Sequence, residues 1–246
     1  MKFAFISPIY DLGCDDTYYH MVLTHLVLKH PGYAKYYNKR ALKGSYLILD
    51  NSLIELGGSV KLRTVLDAAE IIGPDEIVLP DVYKDGNATL ESVRNSLIEY
   101  DGYQYNKSYK LQAVCHGKDF KEWCHIWGEL NKIDDLTCIA IPKVTTSQFG
   151  RLKAVRYALK NNPSNKEIHL LGCWDSVNEF KEYTADEKQA IRGVDTSIVY
   201  HSTIDKLSYK NNQLQKPDYK IDLETKYEID YDLYKQNQEY TLNLLN

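Results

Sequence analysis

The stretch YLILDNS, residues 46–52, joins a short apolar run to a polar segment that begins at Asp50. Residues 76–82, EIVLPDV, repeat the arrangement with Asp81, and residues 193–197, GVDTS, repeat it with Asp195. Short apolar runs without polar alternation are typical of strands that are buried on both faces. The pattern therefore predicts parallel strands whose carboxyl ends carry acidic side chains.

Similar runs alternate with helical patterns along most of the chain. Seven runs predict strands: Lys2–Ile6, Tyr46–Leu49, Glu76–Leu79, Lys110–Val114, Thr137–Ile141, Ile168–Leu171 and Gly193–Asp195. Apolar spacing predicts helices over Thr17–Lys29, Val60–Ile72 (with Ser59 as its N-cap), Leu90–Tyr100, Phe120–Leu130, Phe149–Lys160, Ser176–Ala190 and Asp230–Leu245. Such alternation with short connections predicts an α/β fold with a parallel sheet.

A closed (β/α)8 TIM-type barrel is favoured over an open, doubly wound sheet. The 246 residues match the usual size of one barrel, and seven strand–helix units fit a ring better than an open sheet. Lys220–Leu223 is the candidate for the missing eighth strand. We expect a single barrel domain over residues 1–205, with residues 206–246 forming a C-terminal extension whose short helical tail closes or covers the barrel.

Composition limits the classes of function. A formal net charge of −4 argues against a large non-specific nucleic-acid surface but permits a local one. No apolar run is long enough to span a membrane, and the N-terminus lacks a signal-peptide pattern, so a cytoplasmic protein is expected. Five scattered cysteines contain no C-x-x-C pair, and the spacing of His116 and His125 matches no common metal site. We expect no metal and no cofactor.

Four polar residues end or follow the predicted strands: Asp50, Asp81, Gln112 and Asp195. A single aspartate after a strand is more often the N-cap of the next helix. Capping does not require all four at one face, however, and carboxylates at a desolvated barrel mouth need partners. Together the four predict a functional site.

The order of motifs along residues 45–200 resembles a known family. The segments Asp-Asn-Ser at 50–52, Pro-Asp-Val at 80–82, Leu-Gln-Ala at 111–113, His-Leu-Leu-Gly at 169–172 and Val-Asp-Thr-Ser at 194–197 are similar to those of the tRNA-guanine transglycosylases. More narrowly they resemble the shorter, phage-type DNA 7-deazaguanine transglycosylases. This resemblance implies a pentosyltransferase that exchanges guanine in DNA for a free 7-deazaguanine base.

The resemblance also implies roles for individual residues. Asp195 would attack the sugar and form a covalent aspartyl–sugar intermediate, and Asp50 would be the general acid/base. The polar edge of the base would be bound by Asp81, Gln112 and the Gly172 backbone, with Leu171 beneath the base as an apolar platform.

This sequence departs from the tRNA enzymes in three respects. Their Cys-rich zinc site is missing, the chain is shorter, and Leu53-Ile54 and Ala113-Val114 stand where those enzymes have Gly-Gly pairs. The first two differences favour DNA over tRNA as the polymer.

Five further residues are candidates for contacts with phosphate or nucleic acid: Lys143, Ser52, Lys39, Arg40 and Arg151. For the basic residues on helices, a solvated helix face is an equally good interpretation. A homodimer or an auxiliary protein is the alternative source of a DNA-binding surface.

Three other functions stay open from the sequence. The first is the same exchange on tRNA, which produces a queuine- or archaeosine-type base. The second is a nucleoside hydrolase or base-salvage transferase that acts on small molecules. The third is a catalytically silent barrel that binds purines.

Overall fold

The computed structural model describes residues 1–102, 109–173, 177–211 and 219–245. Within these ranges eight parallel strands form the sheet: β1 Lys2–Phe5, β2 Tyr19–Leu23, β3 Tyr46–Asp50, β4 Glu76–Val78, β5 Lys110–Val114, β6 Leu136–Pro142, β7 Glu167–Leu171 and β8 Gly193–Thr196. The strand order is β1-β8-β7-β6-β5-β4-β3-β2, and the two end strands, β1 and β2, lie side by side. The sheet is thus a nearly closed barrel, which confirms the predicted (β/α)8 class.

The helices surround this barrel. They are α1 Thr24–Lys29, α2 Pro31–Leu42, α3 Leu53–Leu56, α4 Leu62–Ile72, α5 Gly86–Asp101, α6 Phe120–Asn131, α7 Thr145–Gln148, α8 Arg151–Lys160, α9 Ala185–Ala190, α10 Ile198–Ile204 and α11 Tyr231–Asn243. Short 3-10 helices cover Leu12–Cys14, Val177–Glu182 and Tyr209–Asn211. Most predicted helices are present with ends shifted by a few residues.

The helices predicted over residues 60–72 and 176–190 need correction. Helix α4 begins after Lys61, because the Ser59 hydroxyl bonds Asp81 instead of capping the helix. The helix predicted over residues 176–190 is divided into the 3-10 helix Val177–Glu182 and α9, and its first residue, Ser176, lies outside the described residues.

The eighth strand is β2, not Lys220–Leu223. Residues 17–29 were predicted as one helix, but Tyr19–Leu23 pairs in parallel with β3 and only Thr24–Lys29 is helical. The strand passes into α1 without a glycine or proline between them, so the apolar spacing of the two elements merges in the sequence. Residues 220–223 form irregular structure and a turn.

The C-terminal extension packs on the side of the barrel. Helix α11 contacts α10 and the 3-10 helix Leu12–Cys14, which is the only helix between β1 and β2 in the described part of the chain. It thereby takes the place of the α-helix that usually follows a first strand. Nearer the carboxyl ends of the strands, Leu223 accepts a backbone hydrogen bond from Ile9.

The interior of the barrel is filled by side chains that alternate along the strands. A compact apolar layer is formed by Ala4, Tyr19, Met21, Ile48, Val78, Val114 and Ala140. The register brings Asp195 on β8 beside Ala4 on β1, and Asp50 on β3 beside Leu23 on β2. Carboxylates from distant parts of the chain therefore reach the same end of the barrel. Among the residues that the structure describes, no helix is long and apolar enough to cross a membrane.

Candidate active site

A cavity of about 150 Å³ lies at the carboxyl ends of the strands. The three aspartates predicted for this mouth, Asp50, Asp81 and Asp195, all line it. Glu55 on α3 and Lys143 after β6 line it as well. An engineered apolar cavity of similar volume holds one benzene molecule, and drug-sized ligands occupy at least about 300 Å³, so this cavity suits one small ring system.

Asp195 is held through one of its two carboxylate oxygens. Its Oδ1 lies 3.2 Å from Nε2 of His169 and accepts the backbone N–H of Gly172 at 3.0 Å. No donor among the described residues contacts Oδ2. The arrangement fixes the carboxylate by one oxygen and leaves the other available to a ligand.

A chain of hydrogen bonds supports His169 from inside the barrel. Its Nδ1 lies 2.9 Å from the hydroxyl of Tyr19, which in turn accepts Nε–H of Arg192 at 3.1 Å. Arg192 is clamped by both oxygens of Glu76, at 2.6 and 2.9 Å. A Cβ on Gly193 would lie 2.6 Å from the Tyr19 ring, so only glycine permits this approach.

The direction of these bonds defines the form of His169. An ionised Asp195 only accepts, so the proton of a neutral His169 ring is on Nε2, and Nδ1 accepts the O–H of Tyr19, whose oxygen accepts from Arg192. His169 then carries its proton on Nε2 and donates it to Asp195. Burial lowers the pKa of His169, against the opposing effect of Asp195, which favours this neutral form.

Asp50 differs from Asp195 in its electrostatic environment. Its pKa is raised well above the ordinary value, first by desolvation and then by the neighbouring charge of Glu55, with smaller effects from Asp195 and Asp81. The backbone N–H of Ser52, 2.7 Å from Oδ2, opposes the shift. Asp50 is therefore the carboxyl group of the site best suited to hold a proton.

Glu55 is a site residue that sequence reasoning missed. Desolvation raises its pKa, as it does that of Asp50. In the sequence Glu55 stands between Ile54 and Leu56 and has the pattern of an exposed position on a short helix. The sequence signal that could have identified Glu55 is its separation of five residues from Asp50, which places it on the helix that directly follows the end of β3.

Asp81 is already engaged by its neighbours. Its Oδ1 accepts Nδ2 of Asn51 at 2.7 Å and the hydroxyl of Ser59 at 3.0 Å, while Oδ2 lies 2.7 Å from Nε2 of His116. Each carboxylate oxygen can accept two hydrogen bonds, so one acceptor position remains on Oδ2. Asn51 and His116 also line the cavity, and the sequence did not single out Asn51.

Gln112 does not line the cavity. It is fully buried inside the barrel below Val114, and its Oε1 accepts from Nη2 of Arg192 at 3.0 Å. Its side chain points into the barrel as predicted. The inward positions of β5 are Gln112 and Val114, and the cavity begins at Val114, so Gln112 lies one layer of side chains below the cavity. A base-binding role for Gln112 is not supported by its position.

Leu171 and Gly172 lie in the cavity wall as predicted. The Gly172 backbone is largely engaged, since its N–H binds Asp195 and its carbonyl accepts Nη1 of Arg151 at 2.6 Å. Arg151 was predicted to contact phosphate, but it is buried and paired with both oxygens of Glu179, at 2.7 and 2.5 Å. Arg151 therefore positions the Gly172 loop and is not available to a nucleic acid.

The other predicted phosphate contacts occupy different places. Lys143 lines the cavity, and no ion pair to it occurs in the described part of the chain. Ser52 is fully buried at a left-handed φ of 61°, and its hydroxyl lies 2.9 Å from Nδ1 of His25. Lys39 and Arg40 lie in the last turn of α2, next to the amino end of β3 and far from the mouth. Only Lys143 keeps a position suited to its predicted role.

The cavity contains a second potential nucleophile, Cys173. Burial raises the pKa of its thiol to about 12, so it stays protonated at neutral pH and is a poor nucleophile. In the ranges that the structure describes, no group of three or more His, Cys, Asp or Glu side chains is arranged to hold a metal ion. The chemistry available from the side chains here is that of a carboxylic acid and a carboxylate.

A comparison with models of known protein families finds no family that matches this chain, and a comparison with curated proteins finds no relative. The geometry of the cavity and the sequence motifs that line it are therefore the features from which a function can be proposed.

Proposed function

We propose that the protein exchanges guanine in DNA for a 7-deazaguanine base through a covalent aspartyl–sugar intermediate. One observation carries the proposal. A carboxyl group with a raised pKa, Asp50, and a carboxylate anchored by one oxygen, Asp195, line the same small cavity. Pairs of titratable groups in different environments divide acid and nucleophile roles between them.

The reaction divides into two displacements. Oδ2 of Asp195 attacks C1′ of the sugar, the C1′–N9 bond breaks, and its electron pair passes to guanine, which takes the proton of Asp50. The incoming base then returns a proton to Asp50 as its nitrogen attacks C1′. The bond from C1′ to Oδ2 breaks and restores the Asp195 carboxylate. The positive charge that develops on the sugar in each step is stabilised by carboxylates.

The size and lining of the cavity support a single base as its occupant. Leu171 provides an apolar wall, and Asp81, whose Oδ2 keeps one acceptor position, provides a polar group for the base edge while Asn51 and His116 hold it in place. A volume of about 150 Å³ does not admit a stacked or paired base together with the target. The target nucleotide must therefore be extruded from the duplex or be unpaired before reaction.

A small-molecule transferase that acts on free nucleosides is the second candidate. It is favoured by the position of the predicted phosphate contacts, since Arg151 is buried in an ion pair and Lys39 and Arg40 lie far from the mouth. The net charge of −4 agrees with it. This candidate predicts turnover of guanosine or deoxyguanosine without any polymer.

The test offers guanine-containing DNA, tRNA and free deoxyguanosine in parallel, each with a radiolabelled 7-deazaguanine precursor. Label that survives a denaturing wash in DNA, with wild type but not with Asp195→Ala, supports the proposal. Asp195→Asn is the matched variant, because it keeps the shape of the side chain and an oxygen for the Gly172 N–H. Label in tRNA alone would identify tRNA as the substrate instead of DNA, and turnover of deoxyguanosine alone would identify the free nucleoside. Label that enters DNA with Asp195→Ala would exclude Asp195 as the nucleophile.

A further inference from the structure

Four large apolar side chains are exposed on the two segments that border the cavity mouth, and two of them, Ile54 and Tyr83, line the cavity itself. Ile54 and Leu56 on α3 are 45% and 53% exposed, and Val82 and Tyr83 after β4 are 41% and 47% exposed. Exposed apolar groups that cluster beside a cavity, rather than being scattered singly, indicate a binding surface. Tyr83 is the aromatic member of this group, which we call the mouth edge.

The mouth edge connects the cavity to a second depression. A groove of about 710 Å³ runs past the Gly57–Gly58 turn, and Leu53, Asp81 and Tyr83 line both the groove and the cavity. Because the cavity holds only one base, a polynucleotide that places a base there must continue outside it. Tyr83 stands where the chain would leave.

The surroundings of Tyr83 favour a nucleotide over an apolar peptide. The Nζ of Lys84 lies over one face of the Tyr83 ring, 5.2 Å from its centroid, and the Tyr83 and His116 rings meet in a T-shaped arrangement at a centroid distance of 6.1 Å. An aromatic face next to a lysine is the arrangement by which single-strand grooves bind a base and its phosphate. The groove is also lined by Lys61 and Arg63 at the start of α4 and by Glu91 and Glu99 on α5, so its charge is mixed and only the part beside Lys84 is assigned to a nucleotide.

We propose that the base next to the target guanine in single-stranded DNA stacks on Tyr83, with Lys84 facing the phosphate between the two nucleotides. This inference rests on the proposed function, since it assumes that the cavity takes a base from a polymer. It adds a recognition site that lies outside the reacting groups.

The test measures binding without turnover, by fluorescence anisotropy of a labelled DNA heptamer, TTTGTTT, with the Asp195→Asn protein. A second heptamer lacks the two bases that flank the guanine. Both are measured with Tyr83 present and after Tyr83→Ala, which forms a double-mutant cycle. Tyr18→Ala is the matched control, because Tyr18 is 71% exposed but lies at the amino end of β2.

We expect loss of the flanking bases to weaken binding about tenfold when Tyr83 is present and by less than about twofold after Tyr83→Ala. The Tyr18→Ala control should behave like the parent. Equal weakening in both proteins, or no binding of the heptamer to the parent, would overturn the inference. A dimer that Tyr83→Ala dissociates in sedimentation would also overturn it, because a second copy of the chain would then cover the mouth edge.

The two proposals fail separately. Binding that depends on Tyr83 without any transfer of label to DNA would reject the exchange reaction and retain the stacking site. Label transfer with no dependence on Tyr83 would retain the reaction and reject the stacking site.

Discussion

Nε2 of His169 and Oδ1 of Asp195 are 3.2 Å apart, and the backbone N–H of Gly172 reaches the same oxygen at 3.0 Å. Two donors on one oxygen restrict the rotation of the carboxylate, and Oδ2 accepts from no donor among the described residues. A nucleophile that is aligned in this way avoids part of the entropic cost of the reaction. The residues that support His169 and Gly172 should therefore influence catalysis without touching the substrate.

Tyr19→Phe tests the support behind His169. Loss of the hydroxyl leaves the buried Nδ1 of His169 without its donor, so we expect kcat to fall about tenfold with little change in KM. The free energy of unfolding should fall by about 1–3 kcal/mol. Exchange kinetics and urea denaturation measure the two effects.

Tyr46→Phe is the control for that experiment. The Tyr46 ring stacks on Tyr19 at a centroid distance of 5.6 Å, but its hydroxyl donates to Glu76 and not to His169. It should lower stability and leave kcat unchanged. An equal loss of kcat in both variants would show that the interior of the barrel acts only through stability.

The raised pKa of Asp50 makes both stability and activity depend on pH. Its contribution to stability is fully present below its unfolded pKa of about 3.9 and is lost as the pH rises through the higher folded pKa. Asp50→Asn stays neutral throughout. The free energy of unfolding of wild type, relative to that of Asp50→Asn, should therefore fall by at most about 1.4 kcal/mol for each pH unit in this window. Urea denaturation over a series of pH values measures the difference.

The exchange rate of wild type should instead be kept across this window and decline only as the pH rises through the folded pKa of Asp50, because folded Asp50 must hold the proton that the departing guanine takes. Single-turnover rates at each pH test this point. A difference in stability between wild type and Asp50→Asn that stays constant with pH would contradict the raised pKa.

Arg151→Met should be strongly destabilising. The substitution leaves the Glu179 carboxylate and two carbonyl groups without their buried partner, and breaking such a pair costs about 3–5 kcal/mol. Arg156→Met on the same helix removes an exposed pair with Glu187 and should leave the midpoint of thermal unfolding unchanged. Equal midpoints for the two variants would mean that Arg151 does not hold the Gly172 loop.

Gly172→Ala combines strain with a steric effect. Its φ of 69° disfavours alanine by about 1–2 kcal/mol, and the new Cβ would lie 2.9 Å from Cδ of Lys143. Gly44→Ala is the matched control, with a φ of 83° and no atom within 4 Å of the added Cβ. Both variants should lose similar stability in urea denaturation, and only Gly172→Ala should lose exchange activity. Full activity of Gly172→Ala would show that neither the position of Lys143 nor the conformation of this loop affects the reaction.

Much of the barrel could be predicted from the sequence because a strand buried on both faces leaves a local signature. Each predicted apolar run forms a strand of the sheet, and the aspartates that follow three of them line one cavity. Strand β2 was not predicted, because it ends at Leu23 and α1 begins at the next residue, Thr24. Periodicity cannot separate two short apolar elements that have no turn residue between them.

The positions and partners of individual polar side chains depend on the tertiary structure. The sequence suggested phosphate contacts for both Arg151 and Lys143. In the structure Arg151 is buried in an ion pair with Glu179, which is distant along the chain, whereas Lys143 lines the cavity. Gln112 lies one layer below the cavity, where it accepts a hydrogen bond from Arg192, and Glu55 lines the cavity from the short helix after β3.

The sequence by itself determined seven of the eight strands and which strand ends carry carboxylates, because both depend on residues that are close along the chain. Only the tertiary structure decided which carboxyl group holds a proton and which is aligned by donors. Desolvation and hydrogen bonding depend on atoms that folding brings together from distant segments, as His169 and Tyr19 show.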